Sequence, residues 1–348
     1  MTASPSPGRR TGSARRPGWL FLARRLGVYA LTAWAAATLN FVIPRFMPGD
    51  PADVLIRQVQ QQTGQLPPQS VIDSYRAFFG DPRKDLLGQY LDYLGNVLHG
   101  DFGLSVHFYP VPVADLIGQA LPWTLLLAGT TALLGFTVGV LLGVAAGAKP
   151  GSRRDSIALP VSAFLGALPY FWIALLALYL FAYRLNWFPL QGSYDNSLEP
   201  GVNLEFAASV LHYGFLPVAT MVFVGFAGWL IGMRNMMVTT VTEDYVLLAR
   251  AKGLPSRQVL LRYAARNAML PSVTGLAQAL GGVVGGVIVT EVVFGYPGMG
   301  GLLVTSVTAH DFPVMQAVFL LLTITTLAAN FVADSVYVLL DPRTREAR

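Results

Sequence analysis

Six apolar stretches divide the chain, each long enough to cross about 30 Å of hydrocarbon at 1.5 Å per residue. Their approximate limits are 26–46, 123–148, 156–184, 211–233, 271–294 and 313–340. The pattern predicts an all-α polytopic membrane protein with six transmembrane helices. Only "KPGSRRDS" separates the second run from the third, so these two form a hairpin. A polar stretch, 47–122, lies between the first and second runs. It carries the turn signals "MPGDP", "QLPPQS" and "GDPRKD", with short helical patterns between them. Residues 123–340 form the expected core, interrupted by a charged loop at 234–270. Residues 1–25 read as a disordered basic tail and 341–348 as a short C-terminal tail. The first apolar run resembles the core of a signal peptide but is too long for one, which favours an uncleaved first transmembrane helix.

Composition agrees with the pattern. The chain is 53% hydrophobic and 12% charged, with a mean hydropathy of +0.51, where soluble domains are nearer a quarter charged. The net charge of +5 gains meaning from its placement. With the N-terminus in the cytoplasm, most of the 24 basic residues fall inside, including Arg24, Arg25, Lys149, Arg153, Arg154, Arg234, Arg250, Lys252, Arg262 and Arg343. The 47–122 loop carries Asp50, Asp53, Asp73, Asp81, Asp85, Asp92, Asp101 and Asp115 and falls outside. The bias predicts an N-in, C-in topology and accounts for the charge without nucleic acid. With no cysteine, disulfides and thiol chemistry are excluded.

Gly135, Gly139, Gly143 and Gly147 recur every fourth residue in the second run, and Gly281 and Gly285 repeat the spacing in the fifth. Small residues on one helix face let another backbone approach closely, so both helices are expected to pack tightly, within the chain or against a second subunit. Ionisable residues in or near the apolar runs are few: Arg184, Glu291 and Asp334. A structural contact between Asp334 and Arg266 is one expectation. For Glu291, near the outer end of the fifth run, two readings stay open: a gate or path residue, or a solvated helix end. Tyr296, Pro297, Gly298 and Met299 follow as a turn-rich outer tip, read either as a gate or binding-protein contact or as an ordinary connection.

The charged loop contains "TEDYVLLARAKGLPSRQVLLRYAARNAMLP", from Thr242 to Pro271. Thr242 is the expected N-cap, with Glu243 and Asp244 in the first turn, where the helix dipole favours negative charge. Lys252 falls in the last turn, Gly253 suits the position after the helix, and Pro255 blocks continuation. The outcome is a helix of about ten residues, roughly 15 Å long. Ser256 then caps a second helix, which carries Arg257, Arg262 and Arg266 into the fifth run. A basic helix under a membrane can lie on anionic headgroups. The small residues Ala249, Ala251 and Gly253 favour instead a knob seated in a partner protein.

From Asp244 to Pro271 this segment also closely resembles the cytoplasmic EAA loop of binding-protein-dependent ABC importer permeases, in particular the dipeptide/oligopeptide/nickel branch. Ala249 and Gly253 match the family's Ala-to-Gly core, while its leading Glu falls at Leu247. "FVIPRFMPGDPADVL", "HGDFGLSV", "LPWTLLLA", "ALPYFWIALLALYLFAYRLNWFP", "EVVFGYPGMGGLL" and "DPRTRE" are similar to the family's first-permease subunit, in order along the chain. The resemblance implies the type I importer permease fold, a second homologous permease, two cytoplasmic ATPases and an extracytoplasmic binding protein. The segment from Glu243 to Gly253 would be the coupling helix. Tyr245, Ala249, Ala251 and Leu254 would belong to its contact surface, with Arg250, Lys252 and Arg257 pairing at the rim of an ATPase groove. ATP and Mg would be held by the partners and no cofactor by this chain. The cargo would be di- or oligopeptides, with nickel chelates or other small solutes as alternatives.

An intramembrane enzyme is the rival class, but no HExxH, GxSxG or GxxxxGK[ST] is present. A stand-alone secondary carrier is a second rival, and the chain shows no convincing inverted repeat. His99, His107, His212 and His310 are scattered, so no metal site is expected.

Overall fold

The computed structural model describes residues 18–42, 51–79, 85–281 and 287–340. These form helices and their connections, with one isolated bridge between Leu104 and Pro112. After α1 (Gly18–Val42), the polar stretch folds into α2 (Pro51–Thr63), α3 (Gln69–Phe79) and α4 (Leu86–Leu98). Each is amphipathic, and their apolar faces meet: Val59, Val71, Tyr75 and Tyr93 pack with Ala37 and Phe41 of α1 and with Leu320 near the C-terminus. Asp311 fastens this layer. Fully buried, it accepts hydrogen bonds from the Ser105 hydroxyl and from the backbone N–H groups of Val106 (3.1 Å) and His107 (3.0 Å). A buried carboxylate needs such donors to replace water, and three of them here come from one short segment.

The next helix, α5 (Val113–Gly147), begins at Val113 rather than near 123. Asp115 and Pro122 mask this first part in a hydropathy reading, yet Val113, Ile117 and Ala120 are buried against residues 299–318. Pro169 divides the expected span 156–184. Leu168 before it is extended (φ −74°, ψ 132°), as a residue preceding proline prefers. Two helices result, α6 (Arg153–Ala167) and α7 (Tyr170–Ala177), the second continuing through wider π turns to Arg184. The two arms meet at 88°. One straight crossing therefore becomes a bent arm.

α8 (Leu204–Thr240) is longer than the expected 211–233, and Asn203 caps it by accepting from the Phe206 N–H at 2.7 Å. Beyond it come α9 (Asp244–Ala251), α10 (Ser256–Gln258), a π segment (Val259–Ala265), α11 (Arg266–Ala268) and α12 (Leu270–Gly281). The chain closes with α13 (Ile288–Val293), α14 (Met299–Thr308) and α15 (Phe312–Leu340). Contacts fix the helix directions. Thr131 meets Met221 and Gly147 meets Met237, so α5 and α8 run parallel. Asp155 meets Arg234 and Gly166 meets Ala227, so α6 runs against α8; Ser272 with Met233 and Gly275 with Trp229 set α12 in the same sense as α6.

By length and composition, Val113–Gly147, Leu204–Thr240 and Phe312–Val332 can each cross a membrane, and the bent arm makes a fourth if counted as one span. Leu26–Val42 is a shorter apolar helix. Large apolar side chains face outward, among them Leu141, Phe164 and Trp172 at 60–65% exposure. That suits a surface solvated by lipid rather than by water.

Candidate functional site

Two regions, at opposite ends of α5 and α8, carry the residues expected to matter. At the first, α9 is eight residues long, about 12 Å. Glu243 rather than Thr242 occupies its N-cap. The Thr242 hydroxyl turns back to the Thr239 carbonyl at 2.7 Å and closes the end of α8. Gly253 ends α9 at φ +76°, a left-handed conformation that glycine adopts without a Cβ penalty. Its N–H reaches the Arg250 carbonyl at 2.9 Å. Pro255, not Ser256, precedes the next helical turn.

The faces of α9 correct the contact assignment drawn from the sequence. Ala249 is 3% exposed and packs with Val246 into a cluster of Met233, Met237, Val241, Val259, Ala264, Ala265 and Ala268. It faces its own chain because i, i+3 neighbours share a helix side, and Val246 and Ala249 fill the gap beneath. Leu254 is half-buried at the edge of this cluster. Tyr245, Leu247, Leu248, Arg250, Ala251, Lys252 and Arg257 are presented outward, as are Glu243, Asp244 and Gly253. Among the large apolar residues of α9, Leu248 is the most open, at 56%.

The glycine stripe lies above this cluster. A Cβ on Gly139 would sit 2.6 Å from the Phe226 carbonyl oxygen; on Gly143, 2.7 Å from that of Leu230; on Gly147, 2.9 Å from that of Arg234. These three positions bring the backbones of α5 and α8 together. Gly135 does not take part, having no such neighbour within 4 Å. Gly281 ends α12 and Gly285 lies outside the described residues, as does the Asp334 side chain. Beside the stripe, Arg234 holds Asp155 through Nε (2.7 Å) and a terminal nitrogen (2.8 Å). In the sequence Arg234 reads only as a topology marker and Asp155 as part of the short polar connection between the second and third apolar runs. Their separation of 79 residues left no local signal of pairing.

At the other end, Glu291 is buried at 1% exposure, so it is not a solvated helix end. Its carboxylate accepts from the Thr124 hydroxyl at 2.6 Å and from the N–H groups of Gly300 (2.6 Å) and Gly301 (3.1 Å). Thr124 in turn accepts from the Met299 N–H at 2.7 Å. Glu291 thus supplies acceptors to the first turn of α14, where unpaired N–H groups would otherwise be buried. A Cβ on Gly298 would collide with this carboxylate. Tyr296, Gly298 and Met299 are buried and only Pro297 is exposed, so the turn is an inward plug rather than a projecting tip. The Tyr296 ring meets Trp123 edge-on at 5.9 Å, and Trp123 stacks on Tyr194 at 5.6 Å. Burial, with Glu291 nearby, pushes the Tyr296 phenol up to about 12.

Replacing Glu291 with alanine removes three acceptor contacts at once. The expected loss is about 3 kcal/mol or more of stability, with faster hydrogen exchange concentrated at the Gly300 and Gly301 amides. Unchanged protection there would contradict the capping role.

The model of the family described as binding-protein-dependent transport system inner membrane component matches residues 139–346, well over half of the chain. The chain belongs to this family. The permease is also similar along most of its length to curated relatives. It is 32% identical to the oligopeptide transport system permease protein AppB of Bacillus subtilis, over 88% of this chain and 92% of the relative. It is 32% identical to the di/tripeptide transport system permease protein DppB of Pseudomonas aeruginosa, over 94% and 99%. With the glutathione transport system permease protein GsiC of Escherichia coli the identity is 30%, over 93% and 98%. The permease is thus a multi-pass membrane component of a transport system, and α9 falls within the matched region.

Proposed function

We propose that the chain is the first-type permease subunit of an ATP-driven importer of di- and oligopeptides. The observation that carries this reading is the near full-length similarity to permeases named for oligopeptide and di/tripeptide transport. The chain crosses the membrane six times with both termini in the cytoplasm, and a second, homologous permease completes the path. Two ATPase subunits sit against the α9 end, and a binding protein delivers cargo at the end formed by α2–α4 and the Glu291 plug. ATP and Mg belong to the ATPases. This chain contributes no catalytic residue.

The geometry supports a mechanical route. An ATPase groove takes the outward face of α9, with Leu247, Leu248 and Ala251 inside it and Arg250, Lys252 and Arg257 at its rim. Val246 and Ala249 root α9 in a buried cluster shared with Val259, Ala264 and Ala265 of the π segment and with Met233 and Met237 of α8. A push on α9 is therefore passed to the π segment and the end of α8 together. Because α5 and α8 touch backbone to backbone, both helices move together. ATP binding biases one arrangement of the path and hydrolysis releases it, which is how a ligand on a partner can shift a two-state element.

The test is reconstitution of the chain in lipid vesicles with the second permease, the ATPases and the binding protein from the same genome. A mass-tagged mixture of di- to pentapeptides should enter only with ATP and the binding protein present. Entry without either would contradict the reading.

A further inference from the structure

We propose that Asp155 and Arg234 are a positioning pair for transport, locking the start of α6 to α8 so that movement of α9 carries the bent α6–α7 arm with it. The inference rests on the transport reading above. Arg234 donates to both carboxylate oxygens of Asp155, at 2.7 and 2.8 Å, and the Gly151 N–H donates to one of them at 2.9 Å. A two-point guanidinium–carboxylate fork fixes orientation as well as distance. Asp155 is 4% exposed while the Arg234 side chain is 20% exposed, so the carboxylate is covered and the guanidinium keeps an edge in solvent.

The location matters as much as the geometry. Within one turn of Arg234 on either side, Met233 and Met237 belong to the buried cluster that also holds Val246 and Ala249 of α9 and Val259, Ala264 and Ala265 of the π segment. The same stretch of α8 receives Gly143 and Gly147 of α5. Arg234 adds α6 to that junction. Farther along α6, Ser162 is buried and Gly166 approaches Ala227 of α8, while Ile157, Val161 and Phe164 face outward, so Asp155 is the charged contact at the α9 end of an already packed helix. Beyond the 88° bend, the Tyr170 hydroxyl accepts from Thr290 at 3.0 Å and lies 3.3 Å from the Thr220 hydroxyl. Thr290 adjoins Glu291, which holds the plug. The bent arm therefore has an ion pair at the α9 end and hydroxyl contacts beside the plug at its bend. It is a continuous physical link between the two regions.

A merely structural staple and a positioning pair differ in one readout. Loss of a staple lowers the amount of folded complex but leaves peptide imported per ATP hydrolysed unchanged. Loss of a positioning pair lowers that ratio. In the reconstituted complex, Asp155→Asn should reduce the ratio by about tenfold. Spin labels at Ile157→Cys and Thr242→Cys, the second an exposed position just before α9 and outside the proposed groove face, are placed in a chain without native cysteine and report the same event. Their separation should stay constant between the nucleotide-free and ATP–vanadate states of the parent protein, and should change in Asp155→Asn. If that variant fails to assemble, Arg234→Lys keeps the charge with a single-point contact and should show an intermediate ratio. A working parent complex in which the assembled variant keeps the parental ratio and label separation overturns the inference alone. A parent complex that neither hydrolyses ATP nor imports peptide overturns the transport reading and the inference with it.

Discussion

Leu248→Asp should abolish uptake while leaving the permease folded and inserted. Leu248 is more than half exposed on α9 and makes no contribution to the buried cluster beneath it. An aspartate there costs the isolated subunit little, because a surface change away from caps and buried contacts is worth within about 0.5 kcal/mol. Seated in a partner's groove, the same carboxylate would be desolvated without a counter-charge. A central apolar anchor of an interface is worth about 2 kcal/mol or more, which is a factor of about 30 in affinity. The expected outcome is normal yield and thermal stability with ATP-dependent uptake at least tenfold lower. Ala249→Arg looks like an equivalent test from the sequence, but the structure makes it a different experiment. It would force a guanidinium among Val246, Met233 and Met237 and destabilise the fold itself, a loss of several kcal/mol. Normal folding of Ala249→Arg alongside loss of folding in Leu248→Asp would reverse the assignment of the two faces.

The second large effect is expected at the α5–α8 crossing. Gly143→Val places its Cβ 2.7 Å from both the Leu230 carbonyl oxygen and the Met233 Cβ, and 3.1 Å from the Arg234 nitrogen. Two of these neighbours are backbone and cannot swing aside, so the helices must separate. Overpacking of a tight core costs about 1–3 kcal/mol, and a backbone contact belongs at the upper end or beyond. Separation would also loosen the cluster that holds α9, since Met233 and Met237 meet the glycine stripe and belong to that cluster. Gly135→Val is the control on the same helix, having no neighbour within 4 Å to meet. A marked drop in thermal stability for Gly143→Val with little change for Gly135→Val is the expected pattern. Equal effects would show that the stripe acts through helix propensity rather than packing.

Much of this organisation is legible in the primary structure, and the remainder fails for identifiable reasons. Apolar runs locate α5, α8 and α15 because lipid-facing and buried positions are both apolar, and length does the rest. The bend at Pro169 was equally visible as a proline, but the apolar run continues through it and a hydropathy window cannot see direction. The cap at the start of α9 shifted by one residue because Thr242 found a nearer partner in the Thr239 carbonyl. The small residues of α9 stand out in the sequence, yet composition cannot say whether a small residue makes room for a partner or for the chain's own core. Ala249 makes room for the core. Glu291 and Asp155 show the same limit for charge: each is satisfied by groups distant in sequence, at Thr124 and at Arg234, and pairing of that kind has no local signature.

The outward face of α9, centred on Leu248, is the surface expected to meet an ATPase. The chain contains no cysteine, so Leu248→Cys introduces a single reactive thiol in this subunit. A short photo-activatable crosslinker attached there, in the assembled complex in lipid, should join the permease to an ATPase subunit. The same probe at Asp195→Cys, in the connection between α7 and α8 at the other end of the bundle, should not. Capture of the ATPase from position 248 and not from 195 is the expected result. Capture from 195 and none from 248 would contradict the account.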